Sequence, residues 1–326
     1  MFVAILLLLV GFAVLIFGAD FLVNGASSIA KKNGISNLAI GLTVVAFGTS
    51  MPELVVSLVS AVQGKNDASF GNVLGSNNFN LLFILGVAGL IYPLVVQRNT
   101  VKYEVPLSLL AAGVLYVLVN DLDFWGPGPA DNPSTNLLSR FDSIVLLAFF
   151  GLFLMYIYRT MRTSSDIEEG ESIKLYSTGT SVLMILGGLA GLIGGGELVV
   201  NSAIEIAHTF GLSEKLIGLT ILAAGTSLPE LATSCVAAYR RNTDIAIGNV
   251  VGSNIFNIFF ILGITGVVHP ISYSTALNFD IQVLAASTII LMIFMFTLNT
   301  RKLDRWEAFI LLMSYVAYVV YLVSID

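Results

Sequence analysis

The chain has 326 residues, 56% of them hydrophobic and only 11% charged, and a formal net charge of −6; a globular chain carries about 25% charged residues. So few charges, with a mean hydropathy of +0.89, cannot clothe a water-soluble body, which excludes a soluble enzyme, a nucleic-acid binder and a disordered scaffold. The single cysteine, Cys235, rules out an intrachain disulfide, and two histidines, His208 and His269, are too few for a bis-His haem in a membrane core.

A membrane helix needs about 20 mostly apolar residues. Hydropathy predicts ten, over 2–24, 36–62, 70–93, 104–120, 142–159, 180–203, 213–239, 247–268, 278–298 and 306–324. The apolar run from Met1 to Phe17 lacks a basic leader and a small-residue cleavage site, so it reads as the first span and not a signal peptide. The connections are short and polar. The longest, about 121–141, is rich in Pro, Gly, Asn and Asp, and another, about 160–179, carries Asp166, Glu168, Glu169 and Glu171. Neither is long enough for a soluble regulatory module.

The spans repeat. GLTVVAFGTSMPELVVS from Gly41 recurs 177 residues on as GLTILAAGTSLPELATS from Gly218, and GNVLGSNNFNLLFILGV from Gly71 recurs at the same offset as GNVVGSNIFNIFFILGI from Gly248. GADFLVNGASSIAKKNGIS from Gly18 aligns with GGELVVNSAIEIAHTFGLS from Gly195, again 177 on. One shared offset implies duplication of a five-span unit: a first repeat over 1–160, a linker over 161–179 on the cytoplasmic side, and a second repeat over 180–326. Five is odd, so the second copy is expected to be inverted, a signature of secondary transporters with a site at the repeat interface. Alternating the loops puts Lys65, Arg140 and Lys215 on one side. The other twelve Lys and Arg residues, from Lys31 to Arg305, fall on the opposite side. The positive-inside rule then places both termini outside the cytoplasm of a multi-pass protein of the cell membrane.

The second and seventh spans share a Gly-Thr-Ser-x-Pro-Glu core: Gly48, Thr49, Ser50, Pro52 and Glu53, then Gly225, Thr226, Ser227, Pro229 and Glu230. Proline offers no N–H to the carbonyl four residues earlier, so Pro52 frees that of Gly48 and Pro229 that of Gly225. Non-helical backbone at membrane depth survives only inside protein or beside a wet cavity. A charged side chain at the bilayer centre costs about 2.5–3.5 kcal/mol on insertion scales. With no basic residue in either span near the motif, Glu53 and Glu230 call for a bound cation. Carboxylate, carbonyl and hydroxyl oxygens suit Na⁺ and Ca²⁺ and not soft metals. Thr49 and Ser50 lie four and three residues before Glu53, so they add hydroxyls on its face, and Thr226 and Ser227 do the same for Glu230.

The third and eighth spans present polar stripes at i, i+4, i+8: Asn72, Ser76 and Asn80, then Asn249, Ser253 and Asn257. Asn72 and Asn249 read as braces between helices, and Gly71/Gly75 and Gly248/Gly252 as close-packing pairs. Asp20 and Glu197, at matching positions, read as structural or vestibule residues, and Cys235 and the phenylalanines as packing.

The duplicated GTSMPE and GTSLPE, with GNVLGSNNFN and GNVVGSNIFN, resemble the two α-repeats of the sodium/calcium exchanger family, within the cation/calcium antiporters, and the likeness runs over essentially the whole chain. The resemblance implies an all-α membrane fold of ten helices in two inverted five-helix repeats. The ion sites would lie on the second, third, seventh and eighth helices, and the first and sixth helices would slide to alternate access. It implies Glu53 and Glu230 as central carboxylates, with Thr49, Ser50, Thr226 and Ser227 giving hydroxyl or carbonyl oxygens. Ser76, Asn80, Ser253, Asn257 and the carbonyls of Ala46 and Ala223 would complete the metal sites. The K⁺-carrying branch has Asp where this chain has Asn257. The expected function is secondary active antiport of Ca²⁺ against Na⁺, with no cofactor, no nucleic acid and no obligate protein partner beyond the lipid bilayer. The alternatives are Ca²⁺/H⁺ exchange through protonation of Glu53 and Glu230, a cation channel, and an intramembrane enzyme, for which no Ser/His/Asp, HExxH or cofactor motif is present in the spans.

Overall fold

An apolar chain in lipid has to satisfy its backbone hydrogen bonds internally, and helices do so within one segment. The computed structural model describes residues 2–120, 136–160, 174–210, 223–297 and 301–325, and these are helical almost throughout. In chain order the helices are α1 (Phe2–Asn33), α2 (Asn37–Thr49), α3 (Met51–Val62), α4 (Asn66–Ile91), α5 (Thr100–Val119) and α6 (Arg140–Thr160). The second half follows with α7 (Thr178–Thr209), α8 (Ala223–Gly225), α9 (Leu228–Tyr239), α10 (Thr243–Val268), α11 (Thr275–Phe294) and α12 (Arg305–Ile325). Eight of these are long and apolar enough to cross a membrane, and α2 with α3 makes a ninth if the bent pair is one span. The span expected over 213–239 is described only from residue 223, and the acidic run 166–171 and most of the 121–141 loop lie outside the described residues.

The chain is therefore an all-α, multi-pass membrane protein. Its helix ends depart from hydropathy in two ways. First, α1 runs nine residues past the expected end at 24 and stops at Gly34, whose φ of +64° ends the helix. The polar extension finds partners. Asp20 pairs with Arg240, Ser27 accepts from Asn242 Nδ2 (2.9 Å), and Ser28 accepts from Ser181 Oγ (3.0 Å). Second, the span expected over 36–62 is broken: α2 and α3 meet at Ser50 with a bend of 46°.

Every helix of the first half has a counterpart six labels later. Two short strand pairs make the relation physical. β1 (Leu94–Val95) pairs with β4 (Lys302–Leu303), and β2 (Leu137–Leu138) pairs with β3 (Ile271–Ser272), both antiparallel. β1 and β3 stand 177 residues apart, and β2 and β4 stand 165 apart. The shorter offset persists into α6 and α12, both 21 residues long and starting at Arg140 and Arg305. Each ribbon thus takes one strand from each half.

The longest seam joins α1 and α7. A Cβ on Gly18 would come 2.9 Å from the Gly188 carbonyl oxygen, and one on Gly188 would come 2.7 Å from the Gly18 carbonyl oxygen. Gly11 and Gly195 repeat the exchange at 3.1 and 3.0 Å. Small residues let backbones touch where lipid supplies no hydrophobic drive. Gly248 and Gly252 likewise receive α2, with the Leu38 carbonyl oxygen and Ala46 Cβ 3.0 and 2.8 Å from a built Cβ. No described atom lies within 4 Å of a Cβ built on Gly71 or Gly75. The segment that matches α2 falls in 211–222, outside the described residues.

Backbone contact at the α1–α7 seam leaves no room for a branched side chain. Gly188→Val should therefore abolish a monodisperse elution peak in detergent, or lower the melting temperature by several degrees, whereas Gly187→Val, where no atom lies within 4 Å, should leave both intact.

Candidate cation site

The break between α2 and α3 follows from its residues. Ser50 takes φ −85° and ψ 8°, between the helical wells, and Pro52 brings no N–H to the preceding turn. Its counterpart Ser227 takes φ −90° and ψ 8° before Pro229. The following helix turn then aims Glu53 and Glu230 inward, where they are 0% and 1% exposed.

Each carboxylate is received by the other half. Ser50 Oγ donates to Glu230 Oε1 (2.8 Å) and lies 3.0 Å from Ser253 Oγ. Ser227 Oγ donates to Glu53 Oε1 (3.0 Å) and lies 3.0 Å from Ser76 Oγ. Ser76 and Ser253 stand 3.4 and 3.5 Å from the Oε1 atoms of Glu53 and Glu230. Glu53 Oε2 and Glu230 Oε2 are buried and have no partner. No basic side chain pairs with either carboxylate among the described residues.

Asn80 and Asn257 complete the centre in a matched way. Asn80 Nδ2 donates to Asn254 Oδ1 (3.0 Å), and Asn257 Nδ2 donates to Asn77 Oδ1 (2.9 Å). Asn77 and Asn254 in turn each donate to the other's backbone carbonyl, at 3.3 Å. This clamp fixes which end of each amide is free: Asn80 Oδ1 and Asn257 Oδ1 are buried and unpartnered. Sequence reading missed Asn77 and Asn254 because they lie off the i, i+4, i+8 stripe. Asn80 and Asn257 sit in wide π-helical turns, Phe79–Ile84 and Phe256–Leu262. A residue three positions earlier is also a neighbour on a helix. The identical Asn at both copies of the motif was the available signal.

The remaining residues brace the site. Asn72 Nδ2 donates to the Glu53 carbonyl oxygen (3.1 Å) and Ser57 Oγ (2.9 Å), and Asn249 Nδ2 to the Glu230 carbonyl oxygen (3.2 Å) and Ser234 Oγ (2.9 Å). The Thr49 hydroxyl lies beside the Glu230 carboxylate and the Thr226 hydroxyl beside that of Glu53, each across the two halves. They donate to Asn249 Oδ1 (3.0 Å) and Asn72 Oδ1 (3.3 Å). The Ala46 carbonyl accepts from the Ser50 N–H at 3.0 Å, and Ala223 opens α8 at the edge of the described residues. On one flank Phe47 packs against Phe256 and Phe260, with centroids 5.8 and 5.9 Å apart, beside Ser50.

Chemically, this is a buried centre of two carboxylates and four serine hydroxyls, with two amides clamped on the same helices as Ser76 and Ser253, and the unpartnered oxygens of all four groups, Glu53, Glu230, Asn80 and Asn257, are acceptors. An isolated buried carboxylate is among the costliest groups to desolvate. Such a centre accepts positive charge, as metal cations or as protons. Asn257→Asp should expose how tightly it is specified. Asp has no N–H for Asn77 Oδ1, and an acceptor against an acceptor should lower stability by about 1–3 kcal/mol, read as a lower melting temperature in detergent at neutral pH.

Residues 3–159 and 180–324 match the family described as sodium/calcium exchanger protein. The inner membrane protein YrbG of Escherichia coli is 37% identical over 287 residues, 84% of each chain. The sodium/calcium exchanger MaX1 of Methanosarcina acetivorans is 33% identical over 343 residues, 97% of each chain. The solved structure of the sodium-calcium exchanger NCX_Mj superimposes with a TM-score of 0.81 at 30% identity, covering 97% of both chains. The chain belongs to the sodium/calcium exchanger family of membrane cation antiporters.

Proposed function

We propose that the protein moves Ca²⁺ against Na⁺ by alternating access at this centre. The observation that carries the reading is the set of four buried, unpartnered acceptors: Glu53 Oε2, Glu230 Oε2, Asn80 Oδ1 and Asn257 Oδ1. Two carboxylates balance one Ca²⁺, which takes 6–8 oxygen ligands, and the serine hydroxyls and the backbone carbonyls of Ala46 and Ala223 are the neutral donors nearest in the fold. Thr49 and Thr226 act through Asn249 and Asn72. The exchanger names of MaX1 and NCX_Mj support the same ion pair. Competition for the two carboxylates couples the ions: either Ca²⁺ or Na⁺ neutralises them, and an empty centre with two bare charges resists crossing between states. With Asn257 neutral, no third carboxylate calls for K⁺.

The same reading takes the chain as ten spans in two inverted five-span halves in the cell membrane. The exchanged strands and the 177-residue offset support it, and the twelve-to-three division of Lys and Arg sets both termini outside.

Glu53→Gln and Glu230→Gln should each reduce ⁴⁵Ca²⁺ uptake into Na⁺-loaded proteoliposomes to background while the purified protein keeps its elution profile. Near-wild-type uptake by either variant would sink the two-carboxylate site. Uptake driven equally by an outward H⁺ gradient without Na⁺ would replace Na⁺ by H⁺, and a strict K⁺ requirement would remove the role assigned to Asn257. For topology, single cysteines in the 121–141 loop of a Cys235→Ala protein should react with an impermeant thiol reagent on intact cells, and cysteines beside Lys31 or Arg240 should react only after the cells are opened.

A further inference from the structure

A second polar concentration lies away from the centre. A cleft of about 490 Å³ is lined by Arg98, Val101, Lys102, Phe296 and Arg301. Two separate connections build it. Arg98 and Lys102 stand one turn apart where α5 begins; the Val101 N–H already bonds the Gln97 carbonyl (3.2 Å), so both project from one helix face. Arg301 arrives from the turn between α11 and α12. Pairing of β1 with β4 brings that turn alongside, and the Val96 N–H donates to the Arg301 carbonyl oxygen (2.8 Å).

The three cations have no acidic partner among the described residues, and the neighbouring Lys302 is occupied by Asp304 at 2.9 Å. Lys102 sits over the Tyr103 ring, 4.9 Å from its centroid. Like charges one turn apart on a helix repel. Arg301 also holds a φ of +64°, a conformation in which Asn is several-fold enriched among non-glycine residues. The duplication supplies a control. The backbone bond from Val96 to Arg301 has its mate in Tyr273 to Asn136, also 2.8 Å, so Asn136 is the counterpart of Arg301. Thr275 and Phe279 are the counterparts of Arg98 and Lys102. None of these three counterparts is charged.

A bias of basic residues toward one membrane face accounts for their number. It does not require their convergence into one cleft. The cleft lies at the start of α5 and just past the end of α11, at the ends of two apolar spans, and its apolar wall includes Phe296, 65% exposed. Cationic side chains beside an exposed ring match a molecule with a phosphate at one end and hydrocarbon at the other. Arg binds phosphate through two parallel N–H bonds, and Lys binds it as a point charge. Basic pockets between membrane helices hold anionic lipid headgroups in this way.

We propose that the cleft of Arg98, Lys102, Phe296 and Arg301 binds the phosphate headgroup of an anionic phospholipid from the adjoining leaflet. The site is independent of the ion-exchange reading.

Native mass spectrometry of the full chain in detergent tests it, with phosphatidylglycerol and phosphatidylcholine of matched acyl chains as probes, and sn-glycerol 3-phosphate as the free-phosphate arm. Phosphatidylglycerol should bind the wild type at least tenfold more tightly than phosphatidylcholine. An Arg98→Gln, Lys102→Gln, Arg301→Asn triple variant should lose that preference, Asn being chosen for the left-handed backbone. The single Lys102→Gln change, on an exposed helix face, should weaken binding severalfold without unfolding risk. A control with Lys31→Gln, Lys32→Gln and Lys174→Gln removes equal charge and should stay within twofold of wild type. Undiminished binding by both cleft variants, or equal loss in the control, would overturn the site. Binding of sn-glycerol 3-phosphate as tight as that of the lipid would reassign it to a soluble phosphate.

Discussion

Two carboxylates buried without a basic partner set the terms for the rest of the molecule. Moving a carboxylate from water into a medium of low dielectric costs several kcal/mol even after relaxation, and Glu53 and Glu230 are both within 1% of complete burial. The surrounding chemistry lowers that cost without cancelling the charge. Each Oε1 receives a serine hydroxyl from the opposite half, while each Oε2 is left open. A hydroxyl donor stabilises a carboxylate but carries no net charge, so the centre keeps its demand for a cation. A lysine or arginine at the same place would have satisfied the carboxylates permanently and closed the site to ions.

The second consequence is that neither half is complete alone. Ser50 serves Glu230 and Ser227 serves Glu53; Asn77 holds Asn257 and Asn254 holds Asn80. Exchange of this kind, in which i contacts j and the mate of j contacts the mate of i, is the signature of a two-fold relation. It explains why the amides are asparagine. Each needs a donor for the clamp and an acceptor for the centre, and aspartate supplies only acceptors. The neutral amide thus limits the negative charge to the two glutamates while still adding oxygen.

Much of this was legible in the sequence because duplication marks residues twice. Glu53 and Glu230 stood out as acids beside proline in apolar runs, and the stripes through Ser76 and Ser253 pointed at the same centre. Other features were hidden for physical reasons. The extension of α1 to Asn33 carries Ser27 and Ser28, which hydropathy reads as a loop, since it cannot see that their partners lie on α7 and beyond α9. Asn77 and Asn254 were obscured by the π-helical turns, which shift the phase of the face after them. The hydroxyls of Thr49 and Thr226 were expected at the carboxylates from spacing alone. They stand beside the carboxylates of the opposite half and also reach Asn249 and Asn72, so they steady the helices that carry the site.

The contrast between seams bears on how such a centre could face two sides in turn. The helices that carry the carboxylates and amides are tied across the halves by directional hydrogen bonds, which hold one register. The α1–α7 seam brings glycine backbones into contact at Gly11, Gly18, Gly188 and Gly195, with Val199 and Leu15 side chains against two of them. A glycine seam beside a bonded core places relative motion at α1 and α7, the pair the family resemblance also implies. The ion pair of α1 has no ionic match at the equivalent positions of α7. Asp20 pairs with Arg240, and Asn242 reaches Ser27, whereas the positions matching Asp20, Ser27 and Arg240 hold Glu197, Ile204 and Gln63. Gln63 is uncharged, so Glu197 cannot form there the ion pair that Asp20 makes. Any rearrangement that carries α1 along α9 has to separate Asp20 from Arg240, a cost the equivalent movement of α7 past α3 does not meet. The duplication that makes the centre symmetric therefore leaves its two ways out unequal.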